Sequence, residues 1–536
     1  MQHGSDVAPE KASLLARAWW LHPFLLGAFP VFYLFAANIR EQITLEPLIW
    51  PLGLAIAGVG VLLLATAGVA LATRHNVARA GLVASVLVIL FFSYGHVWQL
   101  VEETVRLHRI LLAGWLAIGV IAITLTWRAR LGSVRAVTRG LNVAAIILVG
   151  LNLLPIAQFT VASDTTATAG VDPGASASDV PDGPQPDVWY IVFDRYAGAD
   201  ALSHVYGYDN GPFLEALEQR GFVVAEHSTA NYLKTAHSLA STLNMDYLDP
   251  GALAESAAAP DDWTPLYHAL QGSHGVERFL HDRGYRYLHL GVRRGATYTN
   301  SEADRVFLYS DQTEFGAVLA ETTLMVALES VVGDEAPGGI DGLYGNQTLY
   351  QFNTLEQLAR ARGDAPRFIF AHFLLPHSPY VFNADGSWVT PGQKAARSLH
   401  AQYLEQVQFA NASVLRLLDT LRDRPEAESP IVLLQADEGP FPIRYARDEE
   451  GFAWTKASDE ELLEKFSILA AYRVPAVDRE ELGVYPSITP VNSFRLIFNA
   501  AFGAGLPMLP DRNWVFVDQR HIYEMVDVTD RVAPLR

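Results

Sequence analysis

The chain has 536 residues, half of them hydrophobic, a positive mean hydropathy of +0.15 and a net charge of −19. That length suits two or three units, and the absence of any cysteine excludes disulfides, thiolate metal ligands and a cysteine nucleophile. Charge is distributed unevenly: residues 1–160 hold eleven Lys or Arg against six Asp or Glu, a balance of +5, so the remainder carries −24. So acidic a remainder argues against a nucleic-acid partner, whose phosphates it would repel.

Five apolar stretches follow a polar start, near Trp19–Asn38, Leu48–Ala72, Ala80–Leu100, Ile110–Trp127 and Leu141–Phe159. Each is close to the roughly 20 residues that cross a bilayer as a helix. Lys11, Arg17, Arg74, Arg79, Arg128, Arg130, Arg135 and Arg139 fall on one side of these spans, and only Arg40, Arg106 and Arg109 on the other. This bias places the N-terminus in the cytoplasm, and an odd number of spans puts everything after Phe159 outside. Trp19, Trp20, Trp50, Trp98 and Trp127 lie at the boundaries, as an aromatic belt would. No cleavable signal peptide is expected, because the first apolar run lacks a small-residue cleavage site. The expected organisation is a five-span domain over residues 1–160, a flexible linker over 161–187 and an extracytoplasmic domain over 188–536. The linker is Ser, Thr, Ala, Gly, Pro and Asp with almost no large apolar residue, so it cannot bury a core.

Beyond Asp187, short apolar runs alternate with helical segments, the grammar of an α/β domain with a largely parallel sheet. Gly211–Gly221 reads as a helix before a strand at Phe222–Ala225; Phe279–Gly284 leads into Tyr285–Leu290, and Glu356–Gly363 into Phe368–Leu374. A long amphipathic helix, Tyr403–Leu421, feeds the run that begins at Ile431. Two of the strands end in acid. Val188–Phe193 stops at Asp194, and Ile431–Ala436 stops at Asp437 and Glu438. Carboxylates delivered to one sheet edge need a compensating charge, for which a divalent cation is the usual answer; the other reading of Asp437-Glu438 is an exposed acidic turn.

Thr235 is expected at or just before the start of a helix, where free backbone N–H groups favour a developing anion and a hydroxyl can act as nucleophile. It could equally be a cap for that helix. Its neighbours Lys234 and His237 are expected to contact substrate. His377, held between Pro376 and Pro379 at a strand end, suits the same task, whereas His372 lies inside an apolar run and reads as a core histidine.

Asp194 after a strand, Thr235 with Ser238 three residues on, Pro376-His-Ser-Pro-Tyr380 and an Asp437-Xaa-Gly439 together resemble the sulfatase-like branch of the alkaline phosphatase superfamily. The resemblance runs from about Asp187 to Asn499. With the spans ahead of it, the chain is similar to lipoteichoic acid synthase and the membrane-anchored phosphoglycerol and phosphoethanolamine transferases. It implies a phosphotransferase that moves a phospholipid head group to an envelope glycan or lipid through a phospho-Thr intermediate. The implied metal ligands are Asp194, Thr235, Asp437 and Glu438, with His377 on the substrate. The family's late Asp-His-Gly is Asp437-Glu438-Gly439 here, and an oxygen-only site would favour Mn2+, Mg2+ or Ca2+ over Zn2+. Thr235 and Leu239 stand where sulfatases need a residue converted to formylglycine and an Arg, which argues against sulfate esters. Two alternatives stay open: a non-catalytic envelope scaffold with a degenerate metal site, and a phosphodiesterase or phosphatase that uses water as acceptor.

Overall fold

The computed structural model describes residues 14–39, 45–105, 108–163, 185–292, 295–309, 314–332, 339–361, 363–422, 429–475 and 477–535. Most of the expected linker, residues 164–184, lies outside them, as do Lys11, Arg40 and Arg106 of the flanking basic residues. Two compact units emerge, one from Met1–Thr165 with Gln312–Ile340, the other from Thr166–Asp311 with Asp341–Arg536.

The first unit is helical. Among the described residues, four helices are long and apolar enough to cross a membrane: Pro47–Ala72, Ala78–Val101, His108–Arg128 and Leu131–Ala157. Leu21–Ala37, the first of the five expected spans, is apolar but shorter, at 17 residues. Many outward side chains on these helices are large and apolar, among them Leu64, Leu116, Ile121 and Leu154, as expected where the solvent is lipid. A segment from the second half of the chain joins this bundle. Its helices Glu314–Glu321 and Met325–Val332 pack through Phe315 and Leu319 against Val31, Phe35 and Leu48. At the turn between them, Gly95 N–H donates to the Thr322 carbonyl at 3.0 Å, and Leu324 N–H donates to the Phe91 carbonyl at 2.8 Å. A Cβ on Gly95 would lie 2.0 Å from the Glu321 carbonyl oxygen, so only glycine lets the two backbones meet.

The second unit is an α/β domain around a mostly parallel seven-stranded sheet in the order β2-β7-β6-β1-β5-β3-β4. In chain order these are β1 (Val188–Phe193), β2 (Val223–Val224), β3 (Arg286–Leu290), β4 (Arg305–Val306), β5 (Arg367–Phe373), β6 (Ile431–Ala436) and β7 (Ala470–Arg473). The strand and helix order expected from the sequence is present; the long helix before β6 runs Leu399–Arg422. β1, β5 and β6 are parallel and in register, with Phe193 opposite both Phe373 and Ala436. Every residue in these three strands is buried, which is why they read as continuous apolar runs.

The two faces of the sheet differ in character. Trp189, Ile191, Phe193, Ile369, Phe373, Val432 and Leu434 belong to the main apolar core, with Phe352, Val407 and Leu417 of the covering helices. The alternate set, Tyr190, Val192, His372 and Gln435, points the other way. Tyr190 donates to Gln435, and Gln435 donates to Ser493. The functional residues continue this second, partly polar face.

Candidate functional site

Register decides which side chains meet. Val192 is paired with His372 on β5 and Gln435 on β6, so two residues further along β1 and β6 the same face carries Asp194 and Asp437. The backbones remain tied there: Asp194 N–H donates to the Phe373 carbonyl at 2.9 Å, and Asp437 N–H to the Phe193 carbonyl at 3.3 Å. Asp194, His372 and Asp437, all buried, each offer an atom to one spot, with these atoms within 4.8 Å of one another. His372 Nε2 lies 3.8 Å from Asp437 Oδ2.

These atoms fit a cation. Asp194 Oδ1, His372 Nε2 and Asp437 Oδ2 are buried with no hydrogen-bond partner, an arrangement that costs each group its desolvation energy unless something positive is bound. Burial, together with the nearby carboxylates of Asp194 and Glu438, pushes Asp437 well above the ordinary carboxylate range. Burial also raises Asp194, but the neighbouring His377 and Arg195 outweigh it and hold that group low. Two carboxylates facing one site repel each other, and such a pair is pulled in opposite directions in this way.

Thr235 opens the helix Thr235–Asn244, whose cap position is Lys234. Its hydroxyl is therefore not spent on capping; it stands near the Asp437 carboxylate and works against that group's rise. His377 is buried beside Asp194, and its Nδ1 donates to the Ser378 carbonyl.

Glu438 turns elsewhere, because successive side chains leave an emerging strand on opposite sides. Its Oε1 lies 3.1 Å from Lys465 Nζ, which is wholly buried, and 3.3 Å from Arg195 Nε. Arg195, Lys234 and Lys465 all stack on Phe441, at 3.8, 4.2 and 3.8 Å from the ring centre. Lys234 Nζ also reaches Glu449 at 3.0 Å. Arg195 itself holds a left-handed φ of +65°, a strained conformation for a residue with a Cβ. It is kept there by Tyr403, whose hydroxyl donates to the Arg195 carbonyl and accepts from Ala197 N–H.

Three expectations change. His372, read as a core histidine, stands among the converging ligand atoms, and Glu438 pairs with Lys465 and Arg195. The reason given for an oxygen-only site is thereby removed, since the converging atoms include an imidazole nitrogen. His237 is not at the site either. Its ring is enclosed by Tyr232, Trp263 and Phe516, its Nε2 donates to the Ile522 carbonyl, and burial pushes its pKa down to about 3. Although close to Thr235 on the same helix, it faces the C-terminal segment, where a substrate cannot reach it.

The site thus joins acids at the carboxyl ends of neighbouring parallel strands, a histidine between them and a hydroxyl at a helix start. The sulfatase family model matches residues 186–477, and the chain belongs to the sulfatase family. No curated protein matches it. Among solved structures, the zinc complex of the C-terminal periplasmic domain of EcEptC from Escherichia coli is 12% identical, with 64% of this chain and 93% of that chain covered and a TM-score of 0.41. The integral membrane protein lipooligosaccharide phosphoethanolamine transferase A (EptA) from Neisseria meningitidis is 12% identical, with 91% and 95% covered and a TM-score of 0.40. Phosphonate monoester hydrolase of Agrobacterium radiobacter is 12% identical, with 62% and 80% covered and a TM-score of 0.39.

Proposed function

We propose that the protein is a membrane-anchored, cation-dependent phosphotransferase. It would take a phosphoethanolamine- or phosphoglycerol-type head group from a membrane phospholipid and pass it to an envelope glycan or lipid. The observation that carries this reading is the set of three buried ligand atoms that converge without partners, with the Thr235 hydroxyl near one of them, Asp437. Asp194, His372 and Asp437 would hold the cation. When bound, it supplies Lewis-acid stabilisation of phosphoryl oxygens and lowers the cost of ionising a nearby hydroxyl.

Thr235 Oγ1 attacks phosphorus and the bond to the diacylglycerol oxygen breaks, leaving a phospho-Thr. The Thr235 proton passes to Asp437, and His377, beside Asp194, protonates the departing oxygen. In the second half the acceptor hydroxyl gives its proton to His377 as its oxygen displaces Thr235, and Asp437 returns the first proton to Thr235 Oγ1. Charge suits a phosphodiester monoanion. Arg195, Lys234, Lys465 and protonated His377 bring four positive charges against Glu438 and Glu449, and a divalent cation balances Asp194 and Asp437, for a net charge of about +2.

The pairing of Glu438 with Lys465 and Arg195 removes the motive for reading the protein as a scaffold with a degenerate metal site. The spans and their basic loops support a multi-pass protein of the cytoplasmic membrane, N-terminus inside and catalytic unit outside. The test is a labelled-phospholipid assay with added divalent cation, followed by mass spectrometry of Thr235 peptides. Wild type is expected to carry a head-group adduct on Thr235 and to transfer label to a lipid or glycan acceptor; Thr235→Ala should do neither. Label released only to water would overturn the transferase reading.

A further inference from the structure

His372 is gripped at both ends. Its carbonyl accepts from Gln351 Nε2 at 2.6 Å, and its Nδ1 lies 2.7 Å from Thr297 Oγ1, with both side chains buried. Thr297 sits in a single 3-10 turn, Gly295–Thr297, on the loop that follows β3, so nothing in the regular sheet holds it. A separate chain of hydrogen bonds does. His289 Nε2 donates to the Thr297 carbonyl at 2.9 Å, which fixes the neutral His289 ring with its lone pair on Nδ1. Tyr287 donates to that lone pair at 2.9 Å. Tyr287 and His289 are both buried on β3, the strand next to the one that carries His372. The loop is drawn tightly against its own strand: a Cβ on Gly291 would lie 1.9 Å from the Thr297 carbonyl oxygen and 2.6 Å from His289 Nε2.

We propose that Thr297 is the positioning residue for His372, holding its ring so that Nε2 presents its lone pair toward Asp194 and Asp437. This rests on the reading of those three residues as the cation site. A cation at Nε2 requires the ring proton on Nδ1, and Thr297 Oγ1 is the acceptor placed to receive it. The Tyr287–His289 pair in turn holds Thr297 by its backbone, which leaves its hydroxyl free to face the imidazole. Three strands thus contribute to one ligand's setting besides its own: β5 carries it, β3 aims it, and β1 and β6 supply the acids opposite.

The test uses the full chain in detergent micelles, with Mn2+ titrated calorimetrically and Zn2+-loaded, 15N-histidine-labelled protein examined by NMR. Thr297→Val, which keeps the shape and removes the hydroxyl, is expected to weaken Mn2+ binding about 10- to 100-fold, while Thr297→Ser stays within about threefold of wild type. The His372 Nδ1 resonance, assigned by its loss in His372→Gln, should report a protonated, hydrogen-bonded nitrogen in wild type and Thr297→Ser and should shift in Thr297→Val. Asp194→Asn and Asp437→Asn separate the two levels of the argument. If both lose Mn2+ and Thr297→Val binds it like wild type with an unmoved His372 signal, the positioning role is overturned. If neither loses Mn2+, the cation site is wrong and the role of Thr297 falls with it.

Discussion

Glu438 Oε1 stands 3.1 Å from Lys465 Nζ, in an ion pair from which water is excluded on both sides. Burial pushes Lys465 down to about 7, and Glu438 is the group that opposes that fall. A carboxylate directly after a candidate cation ligand can thus serve as the counter-ion of a buried ammonium. Removing either partner strands the other charge in a dry environment, at a cost of about 3–5 kcal/mol. Glu438→Gln and Lys465→Met should each lower stability by that order, and the double variant by less than the sum. Chemical unfolding of the three variants measures this, and strictly additive losses would show that the two side chains are not coupled.

Asp194 and Asp437 face each other with unpartnered oxygens, so a bound cation relieves a repulsion that the folded chain otherwise carries. At a free Mn2+ concentration one hundred times Kd, the folded state should gain about 2.7 kcal/mol. Thermal unfolding with and without chelator reads this as a rise in Tm. Asp194→Asn and Asp437→Asn should abolish the rise and His372→Gln reduce it; a rise of equal size in all three would place the ion somewhere else.

Three buried histidines give the α/β unit an acid limit. Burial holds His237 and His274 at about 3 and His289 at about 4, against 6.5 when exposed. The unfolded chain therefore takes up protons that the folded chain refuses: the stabilisation is complete above about pH 6.5 and is lost as pH falls toward 4. Each histidine contributes about 1.4 kcal/mol per pH unit within that window. His237→Gln keeps a donor for the Ile522 carbonyl and removes one titrating group. The fall in Tm between pH 6 and 4 should be shallower in this variant, and an unchanged slope would mean that His237 is not held neutral.

Gly439, directly after the acidic pair, is a point of close backbone approach. A Cβ there would lie 2.3 Å from the Glu464 carbonyl oxygen and 2.7 Å from that of Lys465, while Gly439 N–H donates to the Lys465 carbonyl at 2.9 Å. Gly439→Ala should cost about 1–3 kcal/mol through this overlap and should weaken Mn2+ binding by displacing Asp437. Wild-type stability and affinity together would show that the turn can give way.

Much of this is legible in the sequence for a simple reason. A parallel strand buried on both faces is a short apolar run, and an acid at its end marks the sheet edge, so β1 and β6 with Asp194 and Asp437 stand out from the residue pattern alone. His372 does not, because in a strand buried throughout nothing distinguishes one face from the other. Only the register of β5 against β1 shows that it points with Asp194. Lys465 could not be matched to Glu438 for a similar reason: it lies at the end of the helix Asp459–Phe466, 27 positions on, and no local pattern joins them. The segment Gln312–Ile340 was hidden because its two helices have only eight residues each, far short of a span. Its place in the bundle depends on one glycine in another helix.

The most direct test of the cation site is anomalous X-ray diffraction from crystals soaked in Mn2+. The account predicts one peak within coordination distance of Asp194, His372 and Asp437, with Thr235 beside it and Glu438 still on Lys465. A peak coordinated by Glu438, or none between the two aspartates, would contradict it.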